Sequence, residues 1–393
     1  MSAATTPPNA LRIPKKHFNA LDLSRLIAAV AVLFWHYLHF TIPPTATRAP
    51  ANFGDYEPLH GVFAAFYAHG HLAVEYFWIV SGFVFAHVYL ADTQARGRFW
   101  LARFARLWPL HLLTLAVVAL LQAAYWAQHG THFVFGPNDW THFVLNLGLA
   151  HFWGFEKGMS FNGPSWSLSV EILAYAAFWL VLPALRQGRS AVAGALALAA
   201  ALLAPQYPAL KAFACLAYFF AGTTIYLAML RGWARPGILA IAGIAGLVLA
   251  ARFDTVSALE FPQGGLWVVS VFALALLVDR LDHNDRLAFG KRLGDASYGT
   301  YLWHFPIQLT MVMALDALPG GRALSQHWAV LGVYVTAALA AGFASHRWFE
   351  RPAQCAVFAA AARLTRSPMP AAYSPAALSV DSIQPPPSTR SPA

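Results

Sequence analysis

Long apolar runs separated by short polar segments set the pattern of this chain. A membrane-spanning α-helix needs roughly 17–25 mostly apolar residues. Ten runs reach or approach that length, and each predicts a helix: 24–42, 72–91, 107–127, 166–185, 191–205, 210–229, 236–252, 265–279, 298–316 and 327–347. An eleventh run, 143–153, is about half as long as a span, so we expect it to be re-entrant or to lie at the outer interface. The pattern predicts an all-α polytopic membrane protein with about ten transmembrane helices.

The placement of Lys and Arg predicts how these helices are oriented, because both residues favour the cytoplasmic side of a membrane. The chain has 26 of them. If 143–153 does not cross and the N-terminus is cytoplasmic, 21 fall inside and 5 outside, whereas a crossing there changes the split to 12 and 14. We therefore expect both termini to be cytoplasmic. The net charge of +9 then reflects orientation and not a nucleic-acid partner.

Composition agrees with the apolar pattern. Hydrophobic residues make up 58% of the chain and charged residues 11%, against about 25% charged in soluble domains. Cys215 and Cys355 are too few and too scattered for a disulfide framework or a zinc site. We expect a disordered cytoplasmic N-terminal tail at 1–20, a membrane domain at 21–352 and a basic, Pro/Ser-rich cytoplasmic tail at 353–393.

The first apolar run contains two ionisable residues, Arg25 near its start and His36 eleven residues later. On an α-helix this spacing places both side chains on one face, about 16 Å apart along the axis. Ionisable groups inside a bilayer are costly and usually mark a pathway or a reaction centre. The alternative is structural: Arg25 extends to the membrane surface, and His36 is hydrogen-bonded within the bundle.

A second pair, Arg103 and Arg106, lies at the cytoplasmic start of the third span, in RFARLWP. Residues three apart share a helix face, and two guanidinium groups together suit a phosphate or pyrophosphate. Ordinary positive flanking of a membrane helix is the simpler alternative. In RWFERP, near the end of the last span, we expect Glu350 to form an orienting ion pair with one of the arginines.

Two acids and one further motif complete the candidate site. Glu171, in NGPSWSLSVE, is expected at the depth of His36, where a carboxylate fixes the imidazole tautomer and raises its basicity. Glu75, in HLAVEYFWIVSGF, is a second acid in the outer half of the membrane. Three polar residues share one helix face in LGDASYGTYLWHFP: Ser297, Tyr301 and His304.

Six motifs follow one another along the chain: Arg25-x10-His36, FWIVSGF, Arg103-x-x-Arg106-x-x-Pro109, SWSLSVE, SYGTYLWHFP and FERP. Together, over about residues 18–352, they resemble the acyltransferase-3 family of bacterial inner-membrane acyltransferases. The resemblance implies transfer of an acyl group, usually acetyl from acetyl-CoA, to a hydroxyl of a cell-surface or exported glycan. It also implies that four residues are essential: His36, Arg25, Arg103 and Arg106.

We therefore expect a membrane O-acyltransferase of the bacterial inner membrane. The arginines are expected to hold the phosphates of acyl-CoA, which binds as donor substrate and not as a permanent cofactor. His36 is expected to act as general base, oriented by Glu171. The carbohydrate acceptor would arrive from the periplasmic side, where six aromatic residues are available to stack on sugar rings: Trp126, Phe133, Phe135, Trp140, Trp153 and Trp166.

Two alternatives remain open at this point. A transporter or flippase of an anionic or lipid-linked solute would use the arginines as its binding site. It predicts an inverted repeat in hydropathy, and the two halves of the chain show no convincing pairing of that kind. An acyltransferase with a lipid acceptor shares the chemistry but needs a lateral opening to the bilayer.

Overall fold

The computed structural model describes residues 17–43, 57–91, 98–233, 235–252 and 263–365. Within these ranges the regular structure is helical, without a strand, as the predicted all-α class requires. The fourteen α-helices of the described residues are α1 Asn19–His36, α2 His60–His69, α3 Ala73–Ala91, α4 Phe99–His129, α5 Trp140–Leu147, α6 Trp166–Arg186, α7 Ala191–Leu203, α8 Ala212–Leu230, α9 Pro236–Arg252, α10 Gln263–Leu281, α11 Gly290–Asp295, α12 Ser297–Asp316, α13 Trp328–Ser345 and α14 Arg351–Thr365.

Each of the ten predicted runs coincides with one of these helices. Seven described segments are long and apolar enough to cross a membrane: Asn19–Thr41, His60–Leu90, Phe99–His129, Gly163–Arg186, Ala212–Leu230, Gly264–Leu281 and Trp328–Thr365. Helices α7 and α9 are apolar but shorter, with 13 and 17 residues. Helix α12 has 20 residues, but its polar side chains lower its mean hydropathy. The protein is thus a polytopic membrane protein, and the count of ten crossings stays a prediction.

Helix α5 falls in the short run that was expected not to cross. Its eight residues rise only about 12 Å, which is too little to span a membrane. Asp139 caps its N-terminus by accepting a hydrogen bond from the His142 backbone N–H at 2.9 Å. The hydrogen bonds from His142 lower the pKa of the Asp139 carboxyl, because they stabilise its charged form.

The end of α5 contacts α4. Trp108 Nε1 donates to the Leu147 carbonyl at 3.1 Å, so the last residue of α5 contacts the first half of α4. The loop before α5 contacts the second half of α4, where Gln122 Nε2 donates to the Phe133 carbonyl at 3.0 Å. The chain therefore runs along α4 before it turns towards α6, and its re-entrant or interfacial placement stays a prediction.

Glycines bring α3 and α8 into close contact. A Cβ on Gly82 would lie 1.7 Å from the Phe219 carbonyl oxygen, and one on Gly222 would lie 1.9 Å from the Ile79 carbonyl oxygen. Each helix thus presents a glycine to the backbone of the other, an arrangement by which membrane helices approach closely. The Thr223 hydroxyl adds a hydrogen bond to the Gly82 carbonyl at 3.0 Å.

Helix α1, which carries Arg25 and His36, is anchored at its N-terminus by a carboxylate from α10. Asp279 accepts hydrogen bonds from the backbone N–H groups of Ala20 at 2.9 Å and Leu21 at 3.2 Å. The first N–H groups of a helix have no intrahelical partner, and the helix dipole favours a negative charge beside them. This contact fixes the axial position of α1 in the bundle.

Both predicted domain boundaries fall in helical structure. Helix α1 begins at Asn19, within the N-terminal tail predicted at 1–20. The C-terminal tail was predicted to begin at 353, but residues 353–365 belong to α14, because their Ala-rich sequence favours a helix. The remaining tail residues, 1–16 and 366–393, lie outside the described residues.

Candidate active site

His36, the last residue of α1, lies against His304 of α12. The His36 Nδ1 and His304 Nε2 atoms are 3.1 Å apart, and the two rings stack at 24° with their centroids 5.0 Å apart. Helix α1 is continuous from Arg25 to His36, so the expected spacing of about 16 Å between them is confirmed. The fold thus brings together the histidines of two separate motifs.

The hydrogen bonds of His304 determine where the protons lie on both rings. His304 Nδ1 bonds to the backbone carbonyl of Tyr301, which can only accept, so this nitrogen carries a proton. In neutral His304 the Nε2 atom is then an acceptor, and His36 Nδ1 must donate to it. Neutral His36 therefore keeps an unprotonated Nε2, which is the atom that a general base uses.

Two residues outside the six motifs support this pair. Gln308 Nε2 donates to the His36 carbonyl at 2.7 Å, and Gln308 Oε1 accepts from His39 Nδ1 at 3.2 Å. At His36, α1 ends and the chain continues as the 3-10 turn Tyr37–Thr41. Both residues were missed from the sequence alone, although their helical spacing could have indicated them. His39 follows His36 by three positions, and Gln308 follows His304 by four.

A cavity of about 530 Å³ lies beside the histidines. Its polar lining comes from α1 with its following turn, α3 with its preceding turn, α8 with its preceding loop, and α12: His36, His39, His71, Glu75, Lys211, Tyr218 and Tyr301. Two of the six aromatic residues expected near an acceptor, Phe135 and Trp166, also line it. The other four lie elsewhere: Trp126, Phe133, Trp140 and Trp153. The volume is in the range of small-molecule sites, about 300–1,000 Å³.

Glu171 was expected to orient His36, but it does not contact that residue. Its carboxylate is hydrogen-bonded to Ser81 of α3 and to Tyr175 of its own helix, whereas the partner of His36 is His304. The depth of a residue along a helix does not tell in which direction its side chain points. The Glu171 side chain on α6 points towards α3, and it is α12 that passes beside His36. An imidazole thus occupies the place that was expected for a carboxylate.

Arg103 lies in an aromatic cage. Its guanidinium carbon is 4.8 Å from the centroid of the Phe85 ring and 5.9 Å from those of Tyr89 and Tyr175. A guanidinium within about 6 Å of a ring face is attracted by the ring quadrupole. The planar group is therefore held by α3 and α6 in a defined orientation.

Arg25 belongs to the same end of the bundle. It is paired with Asp22 at 3.3 Å, and its side chain is 27% exposed. Both Arg25 and Arg103 interact electrostatically with the Glu171 carboxylate. Glu171 is therefore an acid within electrostatic range of both predicted donor-binding arginines.

Arg106 forms the ion pair that was expected for Glu350. Its Nη1 lies 2.7 Å from Glu350 Oε2, and the Glu350 side chain is 1% exposed. The same guanidinium lies 5.0 Å from the centroid of the Tyr298 ring. Although Arg103 and Arg106 are three residues apart on α4, they bind different neighbours, so this structure does not join them in one two-guanidinium clamp.

Tyr301 is a hydrogen-bonded residue of the cavity wall. Its hydroxyl donates to the Pro164 carbonyl at 2.5 Å and accepts from Ser167 Oγ at 2.8 Å. It lines the cavity and interacts electrostatically with both Glu171 and Glu75. The two hydrogen bonds therefore hold the Tyr301 ring in place at the cavity wall.

Ser297 is not part of this site. Its Oγ donates to the Gly294 carbonyl at 2.7 Å, which closes the turn between α11 and α12. Ser297 is the first residue of the helix that carries Tyr301 and His304, and its hydroxyl is hydrogen-bonded within that turn. Its contribution to the site is therefore indirect.

Comparison with known proteins identifies this arrangement. The model of the acyltransferase-3 family, described as an acyltransferase domain, matches residues 18–346. The chain belongs to the acyltransferase-3 family. This acyltransferase-3 protein is accordingly an enzyme that transfers acyl groups, and the transporter or flippase alternative is set aside.

Three relatives are similar to this acyltransferase-3 protein over parts of the chain. Acyltransferase MdmB of Streptomyces mycarofaciens is 30% identical over 273 residues, which are 61% of this chain and 68% of the relative. Protein 2 in picA locus of Rhizobium radiobacter is 33% identical over 158 residues, 33% of this chain and 82% of the relative. Nodulation protein 10 of Rhizobium leguminosarum bv. viciae is 27% identical over 202 residues, 48% and 50% of the two chains. No solved structure matches.

Proposed function

We propose that this acyltransferase-3 protein transfers an acetyl group from acetyl-CoA to a hydroxyl of a cell-surface or exported glycan, in the bacterial inner membrane. One observation carries the proposal. His36 lines a cavity with an unprotonated Nε2, and it lies about 16 Å along α1 from Arg25. A base and a cationic group at this separation match a donor whose reactive thioester and anionic phosphates are joined by a long arm.

In the proposed reaction His36 Nε2 takes the proton of the acceptor hydroxyl while the hydroxyl oxygen attacks the thioester carbonyl. The carbon–sulfur bond then breaks, and the leaving thiolate receives the proton from His36. During this cycle the His36 Nδ1–H donates to His304 Nε2, so the imidazolium stays oriented. General base catalysis of this kind contributes typically 10²–10⁴-fold.

The donor is proposed to bind with its phosphates at Arg25, Arg103 and Arg106. Arg–phosphate contacts are charge-assisted and frequently bidentate. Arg25 and Arg106 are partly exposed, with 27% and 23% of their side chains accessible. The pantetheine arm is expected to pass Tyr301 on its way from the Glu171 region to His36.

The experiment compares acetyl transfer from labelled acetyl-CoA by His36→Ala and Arg103→Ala membranes. We expect His36→Ala to lose about 10²–10⁴-fold in turnover with CoA binding intact, and Arg103→Ala mainly to raise the apparent KM for acetyl-CoA. Calorimetric titration of CoA into the purified variants measures the binding arm separately. The acceptor fraction is surface glycan from cells that lack the protein, analysed by mass spectrometry.

Matched controls for these variants lie outside the proposed site. His60→Ala removes a histidine whose side chain is 53% exposed, and Arg189→Ala removes an exposed arginine after α6. Both are expected to behave as wild type. Activity of His36→Ala within a few-fold of wild type removes the proposed base. Undiminished CoA affinity in a triple alanine variant of Arg25, Arg103 and Arg106 places the donor elsewhere.

A further inference from the structure

Two polar groups line the cavity with unused hydrogen-bonding capacity. Glu75 is in the first turn of α3, and its Oε2 is buried without a hydrogen-bond partner among the described residues. His71 is four residues earlier, and within the same described ranges its buried Nε2 also has none. Most buried polar atoms in proteins are hydrogen-bonded. A ligand that bonds to both groups at once would therefore satisfy them.

The position of Glu75 at a helix N-terminus explains only part of this geometry. A carboxylate in the first turn of a helix interacts favourably with the helix dipole. That interaction accounts for an acid at this place, but it provides no hydrogen bond to Oε2. A buried carboxylate oxygen without a bond carries a desolvation cost, which a ligand with hydroxyl donors removes.

His71 is held against the helix that carries His36. Its ring packs on Trp35 of α1 with the centroids 4.7 Å apart. The preceding Gly70 lies so close to α1 that a Cβ there would be 2.1 Å from the Ala31 carbonyl oxygen. This packing gives His71 a defined place relative to His36, so a ligand bound by one is presented to the other.

The rest of the lining restricts the charge of the ligand. Lys211 is the cation of the cavity lining, and it interacts electrostatically with Glu75. With a single lysine, the lining lacks the cluster of cationic groups that a polyanionic ligand needs. Trp78 and Trp166 also line the cavity and meet edge-to-face, with the centroids 5.7 Å apart at 84°.

We propose that Glu75 and His71 form the acceptor subsite of the enzyme, and that they bind neighbouring hydroxyl groups of a neutral carbohydrate ring. The carboxyl group of Glu75 accepts hydrogen bonds from hydroxyls, and the His71 imidazole can donate or accept one, while Trp166 offers apolar surface to the C–H face of the ring. The inference rests on the proposed function and adds which side chains recognise the acceptor. A hydroxyl next to the anchored ones then reaches His36 Nε2 for acylation.

The test measures sugar binding without any donor, using the full-length protein in detergent micelles. The probes are methyl α-glycosides of glucose, galactose and mannose together with their monodeoxy analogues, and the readout is saturation-transfer NMR. We expect wild type to bind at least one parent glycoside and to lose affinity when one of its anchoring hydroxyls is removed. Glu75→Gln is expected to weaken that binding roughly tenfold or more, because hydrogen bonds to a charged group are lost.

The matched control is Glu156→Gln. Glu156 accepts from the Gly154 backbone N–H at 2.8 Å in the loop between α5 and α6, and it does not line the cavity. The Glu156→Gln variant should bind the glycosides with the affinity of wild type. If Glu75→Gln fails to accumulate as a folded protein, His71→Ala decides, with the same expected loss.

Three outcomes overturn the subsite. They are equal affinity in Glu75→Gln and wild type, equal loss in Glu75→Gln and Glu156→Gln, and no glycoside bound by wild type. The two proposals fail in different assays, since sugar binding is measured without acetyl-CoA. Sugar binding without acetyl transfer retains the subsite and removes the proposed function. Acetyl transfer with an unchanged acceptor KM in Glu75→Gln retains the proposed function and removes the subsite.

Discussion

At the residue scale, the proposed base is oriented by a second histidine and not by an acid. A neutral imidazole pair carries no net charge, so it avoids much of the cost of placing an ionised carboxylate inside a membrane. When His36 Nε2 takes a proton, its Nδ1–H still donates to His304 Nε2. His304 in turn stays bonded to the Tyr301 carbonyl. The orientation of the base therefore persists through the reaction without a permanent buried charge.

His304 is accordingly predicted to be a positioning residue. His304→Ala should lower kcat roughly tenfold or more, but less than the 10²–10⁴-fold loss expected for removing the base itself. The KM for acetyl-CoA should not change, because the donor arginines are untouched. His304→Gln places an amide oxygen where it can accept from His36 Nδ1–H, so it should recover part of the activity. Steady-state kinetics of the two variants beside wild type check this, and a glutamine variant no better than alanine contradicts it.

At the element scale, the packing of α3 on α8 depends on two glycines whose hydrogen atoms face backbone. A Cβ at Gly222 would lie 1.9 Å from the Ile79 carbonyl oxygen, whereas one at Gly194, within α7, meets nothing within 4 Å. Gly→Ala in an open helical position stabilises by roughly 0.5–1 kcal/mol. Insertion of a methyl group into a packed interface costs about 1–3 kcal/mol.

The same substitution is therefore predicted to have opposite effects at these two sites. Gly222→Ala should lower the midpoint of thermal unfolding in detergent, because α3 and α8 must move apart. Gly194→Ala should leave the midpoint unchanged or raise it. Fluorescence-monitored unfolding of the two purified variants gives the comparison. Equal midpoints for both would mean that α3 and α8 are not in the close contact described here.

The positions of the helices followed from the sequence because run length and apolar composition alone determine them. The directions in which the helix faces point did not follow from the sequence. Glu171 and His304 were both recognised as polar residues at useful depths, yet only tertiary packing decided which of them reached His36. Gln308 and His39 were missed for a similar reason, since their roles depend on where α1 ends. The Arg106–Glu350 pair was expected because an internal acid needs a cation nearby.

At the scale of the whole molecule, the polar groups divide between two regions joined by α1 and α12. Arg25 and Arg103 both interact electrostatically with Glu171 in one region, and His36 and Glu75 line the cavity in the other. Such a division suits a reaction in which donor and acceptor approach from opposite sides of a membrane. It also makes the sidedness of each loop a direct constraint on the mechanism.

The final prediction concerns that sidedness. Because α5 is too short to cross, we expect the loops on both sides of it to face the same compartment. The split of 21 cytoplasmic to 5 external Lys and Arg predicts that this compartment is the periplasm. Gly136→Cys and Lys157→Cys should therefore both react with a membrane-impermeant maleimide added from the periplasmic side. Arg189→Cys, between α6 and α7, should react only after lysis. A Cys355→Ser background suffices, because Cys215 is buried. Labelling of Gly136→Cys with protection of Lys157→Cys would mean that 143–153 crosses, and would place Arg103 and Glu171 in a different relation to the cavity.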